Sequence, residues 1–156
     1  MKIGIVSDTH RMIKCIDKAI PYLKNCDLII HAGDNYSDAR YIYSETSVGV
    51  MAVVGNCDYE DAEEELLFDF AGKKFFVCHG HRYDVKYGLN FLKTKAEREG
   101  ADIVVFGHSH ETFSDVIDGV LYINPGSLAL PRGGTKRGFA ILEIEDSNIK
   151  VKEIEI

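Results

Sequence analysis

Along this chain, short apolar runs end again and again in polar residues of one chemical kind. Lys2 to Ser7 ends in Asp8-Thr9-His10, and Asp27 to His31 ends in Ala32-Gly33-Asp34-Asn35. Val48 to Val54 ends in Gly55-Asn56-Cys57-Asp58, Lys74 to Cys78 in His79-Gly80-His81, and Asp102 to Phe106 in Gly107-His108-Ser109-His110. Each run is short and rich in β-branched or aromatic residues, the pattern of a strand. On an extended backbone alternate side chains share a face, so His108 and His110 are expected to look toward one common point beyond the fifth run.

Between the runs the period changes. Ile13, Ile16, Ile20 and Leu23 recur at three- and four-residue spacing and predict a crossover helix, which makes the first two strands parallel. Ser37 to Ser44 predicts a short helix with Ser37 as its cap. The run Val48 to Val54 is almost wholly aliphatic, which predicts a strand buried on both faces. Leu66 to Phe70 turns back through Ala71-Gly72-Lys73-Lys74 as a hairpin, and Tyr87 to Glu99 reads as a helix stopped by Gly100, with Leu89, Phe91, Leu92 and Ala96 on one side. Asp118-Gly119 joins Phe113–Ile117 to Val120–Asn124, and Gly138–Glu145 pairs with Ile149–Ile156 around Asp146-Ser147-Asn148 as a last hairpin with one wet face. Strand and helix alternate first and hairpins follow, which predicts an α/β fold: a four-layer α-β-β-α sandwich of two mixed sheets with helices on the outer faces. No linker or repeat divides the chain, so residues 1–156 are expected to form one domain.

Composition narrows the partners. Apolar residues are 46% and charged residues 28% of the chain, as in an ordinary globular protein. The apolar runs are too short to span a bilayer, and the start runs straight into a strand instead of a signal peptide. A net charge of −7 argues against broad binding to nucleic acid, though not against small anions met by bound cations. Cys15, Cys26, Cys57 and Cys78 show no CxxC spacing, which excludes a zinc cluster of cysteines and points to reduced thiols in a cytoplasm. The absence of glutamine and the Lys- and Glu-rich tail hint at a thermophile. A homodimer is plausible for such a chain, though no sequence feature supports it.

Ligands collect at the carboxyl ends of strands in α/β sheets, and every motif above lies there. Pooled, the motifs offer Asp8, His10, Asp34, Asn56, His79, His108 and His110 as metal donors, too many for one small ion and enough for two. His31, on an apolar strand, reads as a buried hydrogen-bonded histidine or as a partner behind a ligand, in preference to a ligand itself. His81 should face the same side as His79, as a substrate contact or a supporting residue. Asp58 either orients a neighbour or begins the acidic stretch Tyr59–Glu65. Arg11, Arg132, Lys136 and Arg137 could meet a phosphate or only balance surface charge, and Arg132 is favoured because Gly133 and Gly134 allow close approach.

The ordered blocks Asp8-Thr9-His10, Gly33-Asp34, Gly55-Asn56-Cys57-Asp58, His79-Gly80-His81 and Gly107-His108-Ser109-His110 resemble the calcineurin-like metallophosphoesterase superfamily. The later Asn124-Pro125-Gly126-Ser127 and Pro131-Arg132 resemble its small single-domain prokaryotic phosphodiesterases. The resemblance implies two divalent ions, Mn²⁺ first with Ni²⁺, Co²⁺, Fe²⁺ or Zn²⁺ as alternatives. Asp8, His10 and His110 would hold one, Asn56, His79 and His108 the other, and Asp34 both, with a bridging hydroxide attacking a small phosphodiester. His81, Cys57 and Asp58 are the remaining catalytic candidates. Cys57 departs from the family pattern, for many relatives carry there a histidine thought to aid leaving-group departure. The alternative is a non-catalytic scaffold or protein-interaction module, because a retromer subunit resembles this fold. A covalent phosphatase with Asp8 as nucleophile is disfavoured, since that chemistry usually reads D-x-D and here the partner is His10.

Overall fold

The computed structural model describes residues 1–156. The first half alternates as β1 (Lys2–Val6), α1 (Ile13–Leu23), β2 (Leu28–His31), α2 (Asp38–Thr46) and β3 (Val50–Ala52). Then come β4 (Glu65–Phe70), β5 (Lys73–Cys78), α3 (Asn90–Glu99), β6 (Ile103–Val105), β7 (Thr112–Ile117), β8 (Val120–Pro125), β9 (Gly138–Glu145) and β10 (Asn148–Glu155). The strands form two sheets, in the orders β10-β9-β1-β2-β3 and β4-β5-β6-β8-β7. Both are mixed: β1, β2 and β3 run parallel while β9 is antiparallel to β1, and β5, β6 and β8 run parallel between two antiparallel edge strands.

Alternation along the strands sorts the core into layers. Ile3, Ile5 and Ile30 of one sheet meet Phe75, Val77, Ile103 and Val105 of the other in the central cluster. The opposite faces carry Val6, Ile29 and Phe139 under Ile16, Leu23 and Ile42 of the first two helices, and Phe76, Val104 and Tyr122 under Leu92 and Ala96 of α3. The result is the expected α-β-β-α sandwich. Burying each such side chain contributes about 1.5–3 kcal/mol. Gly4 sets the spacing of the first layer pair, because a Cβ there would run into Leu23 of α1.

Several local expectations fail for reasons of topology. β3 is not buried on both faces: only Val50–Ala52 pair as strand, half-buried at the sheet edge, and Val53 and Val54 are covered only where the chain dives toward the site. The last hairpin does not share one wet face, for β9 lies between β1 and β10 with Phe139 and Ile141 outward and Ala140, Leu142 and Ile144 inward, all covered. Only β10 is wet. Ser37 stands at the start of α2 without a capping hydrogen bond. α3 begins at Asn90 because Gly88, at φ 128°, breaks the run, and Phe91 points out with 65% exposure. Gly100 does end α3 at φ 66°, and Asp118-Gly119 turns with both φ positive, as a tight hairpin requires.

Candidate metal centre

Five strand ends converge: Asp8 follows β1, Asp34 follows β2, Asn56 follows β3, His79 follows β5, and His108 and His110 follow β6. Asp8, His10, Asp34 and His110 bring their donor atoms within 4.8 Å of one another. His110 Nε2 lies 3.0 Å from Asp8 Oδ1, and His10 Nε2 lies 3.5 Å from His110 Nε2 and 3.8 Å from Asp34 Oδ2. The other Asp34 oxygen, Oδ1, lies 3.3 Å from His79 Nε2, which is itself 3.8 Å from Asp8 Oδ1. Around His79 stand the rings of His108, at 5.1 Å between centroids, and His81, at 5.5 Å.

The two histidines of β6 therefore do not look at one point. β6 stops at Val105, and His108 and His110 sit at φ 70° and 60°, left-handed backbone to which the two-residue period of a strand does not apply. One goes to each half of the site. The motif glycines are packing requirements: a Cβ at Gly107 would collide with Ser7 and crowd the Asp8 carboxylate, and one at Gly55 would collide with Asp34.

The donor set fits cations. His110 Nδ1 donates to the Leu130 carbonyl at 2.6 Å and His79 Nδ1 to the Ala32 carbonyl at 2.7 Å, so each ring, when neutral, presents a lone pair at Nε2. Those lone pairs face carboxylate oxygens, which can only accept. Asp8 Oδ1 and His79 Nε2 are buried with no hydrogen-bond partner. Burial pushes the carboxyls up, but His110 and His79 beside Asp8, and His79 beside Asp34, hold both well below the usual range. Burial lowers His79 but the Asp34 and Asp8 carboxylates raise it on balance, so the ionised carboxylates gathered here call for positive charge among them, carried by a proton on His79 or by a bound cation. Burial, then the charge of a protonated His79, lowers His108 to about 4, so His108 is neutral at physiological pH.

The calcineurin-like phosphoesterase superfamily domain matches residues 1–147. The chain belongs to that superfamily. A probable metallophosphoesterase of Bacillus subtilis is 37% identical over 97% of this chain and 89% of its own length. A phosphodiesterase of Methanocaldococcus jannaschii is 34% identical over 81% of this chain and 83% of its own. Among solved structures, a conserved uncharacterized protein of Streptococcus pneumoniae TIGR4, a predicted phosphoesterase, superposes with a TM-score of 0.82 at 28% identity, covering 96% of this chain and 86% of that one. Vps29 of Entamoeba histolytica, complexed with Zn²⁺, shares the fold alone, at a TM-score of 0.78 and 18% identity over 99% of this chain and 98% of its own.

In this phosphoesterase the remaining sequence candidates stand around the donors. Asn56 and Cys57 are exposed on the loop after β3; the Asn56 amide donates to Cys57 Sγ at 3.6 Å, and the Cys57 N–H donates to Asp34 Oδ1 at 3.0 Å. Burial, then the Asp34 carboxylate, pushes the Cys57 thiol up and keeps it protonated. Asp58 accepts N–H bonds from Asp34, Asn35, Tyr36 and Gly55, at 2.7–3.0 Å, which fastens the Asp34 loop to the Asn56 loop. His81 Nδ1 is buried and unpartnered. Arg11 and Arg132 are exposed, and the Arg132 N–H donates to the His110 carbonyl at 3.0 Å. Gly133 does permit a close approach, but to Glu111.

Beyond His31 and Asp58, the supporting residues were not legible in advance. Thr9 donates its hydroxyl to Asp38 at 2.5 Å, Asp38 also accepts the Arg11 N–H at 3.0 Å, and His31 Nε2 meets Thr9 at 2.9 Å. His31 Nδ1 accepts the Gly33 N–H at 3.2 Å, which fixes Nε2 as the donor and links the Asp8 loop to the Asp34 loop. Burial lowers His31, so it stays neutral, the supporting role its apolar strand suggested. Ser7 donates to Asp8 Oδ2, Ser127 donates to the Asp8 carbonyl, and Asn124 holds the Gly107 carbonyl and Ser109. Their signal is the Asn124-Pro125-Gly126-Ser127 block, whose hydrogen bonds no sequence period reveals.

Proposed function

We propose that residues 1–156 form one binuclear-metal phosphodiesterase domain acting on small phosphodiesters. The observation that carries this reading is Asp34, which turns one carboxylate oxygen toward His79 and the other toward His10. In this reading Asp8, His10 and His110 would hold one divalent cation, Asn56, His79 and His108 the other, and Asp34 would serve both. Two such ions would supply a nucleophile by lowering the pKa of water and would neutralise charge on the phosphoryl oxygens. The Leu130 and Ala32 carbonyls keep His110 and His79 in the donor tautomer, and Ser7 with the His108 N–H fixes the Asp8 carboxylate. His81 is the acid–base candidate nearest the second half, and Cys57, as a protonated thiol, is a poor proton donor to a basic leaving group.

Mixed nitrogen and oxygen ligation suits Mn²⁺, with Ni²⁺, Co²⁺, Fe²⁺ or Zn²⁺ as competitors. Four free thiols suit a reducing, cytoplasmic setting. The test is metal analysis of the purified protein, chelation, and a panel of phosphodiesters including cyclic nucleotides with each metal added back. Chelation should abolish hydrolysis and Mn²⁺ restore it; undiminished hydrolysis by metal-free protein overturns the mechanism. The fold likeness to Vps29 supports the second reading, a protein-interaction module. Metal binding with no hydrolysis of any diester would favour that reading.

A further inference from the structure

The largest hollow on the molecule, about 590 Å³ between α2 and the free edge of β3, is walled by residues of which none adjoins a metal donor in sequence. A second cavity, of about 370 Å³, is different, because Ser109 in its wall is the residue between His108 and His110. Ser109 is fixed there by the Asn124 amide at 2.9 Å and the Glu111 N–H at 3.3 Å. Leu89, Phe106 and Phe113 also line the cavity, and the two phenyl rings stand 6.3 Å apart, inclined at 53°.

Two exposed cations complete the lining, Lys86 and Arg132. The Arg132 backbone N–H holds the His110 carbonyl, and Lys86 shares the cavity wall with Ser109 of the metal-binding loop. Glu111, the opposing charge in the lining, packs over the backbone of Gly133. On a chain of net charge −7, a pair of cations beside the reaction centre is a local exception that attracts anions. A bare phosphate has no use for an aromatic wall, whereas a flat ring system does. The volume falls in the range of small-molecule sites and suits a group of nucleoside size.

We propose that this cavity receives the organic group esterified to the scissile phosphate, and that the preferred substrates carry there a planar ring system with a negative charge of its own. The inference rests on the phosphodiesterase reading and names the substrate class of that same site. Lys86 and Arg132 meet the added anion, and Leu89, Phe106 and Phe113 the ring.

The test holds the leaving group constant. Metal-loaded full chain is offered three p-nitrophenyl diesters, whose second ester group is methyl, thymidin-5′-yl, or thymidin-5′-yl bearing a 3′-phosphate. The thymidyl ester should exceed the methyl ester in kcat/KM by about tenfold or more, the scale on which apolar pockets discriminate, and the 3′-phosphate should add several-fold. Phe113→Ala should collapse the thymidyl-to-methyl ratio, and Lys86→Ala combined with Arg132→Ala should remove the advantage of the added phosphate. Leu89→Trp, which fills the cavity, guards against a misfolded Phe113 variant and should penalise both large esters. Equal kcat/KM for the three esters, or ratios untouched by these variants, overturns the inference while leaving the phosphodiesterase reading intact. Hydrolysis of none of the three by metal-loaded protein overturns both.

Discussion

The two halves of the metal centre are held by opposite means. Asp8, His10, Asp34 and His110 have their donor atoms already gathered within 4.8 Å, and all but His10 are buried. Around Asn56, His79 and His108 only His79 is comparably buried and locked, while Asn56 lies exposed on a loop. A site whose donors are already in place gives up less conformational freedom on binding its ion, so the first half should bind the tighter cation. On the proposed two-ion reading, that difference sets an order of affinities that a metal titration can test.

Asp34→Asn is the severest way to break that order, since one residue faces both halves. Metal affinity should fall in both, well beyond the roughly 10–100-fold that losing an outer partner costs, and hydrolysis should go with it. Elemental analysis of the variant checks this, and two tightly retained ions would show Asp34 is no bridge. His108→Ala, by contrast, should abolish only the weaker of two phases in a metal titration.

Cys57 tests the open half from the side of chemistry. A positioned general acid contributes about 10²–10⁴-fold to expulsion of a basic leaving group. Wild-type protein should therefore cleave aryl diesters much faster than alkyl ones, with a steep dependence of rate on leaving-group acidity. Cys57→His should flatten that dependence and help alkyl diesters most. A wild-type rate indifferent to leaving-group acidity, with chemistry rate-limiting, would point to another acid, and His81 would be the first to replace.

Thr9→Val probes the locked half. It removes the hydroxyl that joins His31 to Asp38 without changing side-chain volume much, so the tighter phase should weaken by about 10–100-fold while the weaker phase holds. A titration in which both phases weaken equally would show that the relay serves the whole fold.

The smallest effect is one of pH. Burial holds His31 below its ordinary value, so as pH falls through about 6.5 the unfolded chain takes up a proton that the folded one refuses. Stability is full above that pH and is lost toward the lowered folded value, at up to about 1.4 kcal/mol per pH unit. His31→Gln should lose less on acidification than wild type in metal-loaded denaturant melts, and parallel curves would contradict this.

The convergence of the candidate donors was legible because they follow each strand directly in sequence, and hydrophobic period marks where strands end. The geometry of His108 and His110 was not, because two residues of non-strand backbone, Phe106 and Gly107, separate His108 from Val105 and discard the period. Burial of β3 and β9 was misjudged for a related reason: neither strand's alternation says who its neighbours are, and β9 returns from the far end of the chain to lie beside β1. Thr9, Asp38, Asn124 and Ser127 act through hydrogen bonds that span many residues in sequence, for which a single chain of letters carries no spacing rule.

Five of the seven donors, Asp8, His10, Asp34, His108 and His110, sit at positive φ, where a residue with a side chain is strained by roughly 1 kcal/mol or more. That has an evolutionary side. A copy of this gene released from selection for catalysis could exchange those residues for glycine or asparagine, shed backbone strain and buried negative charge together, and grow firmer as it forgot its reaction. Decay of the chemistry would then run downhill in folding free energy, leaving an intact sandwich free to be recruited for its surface.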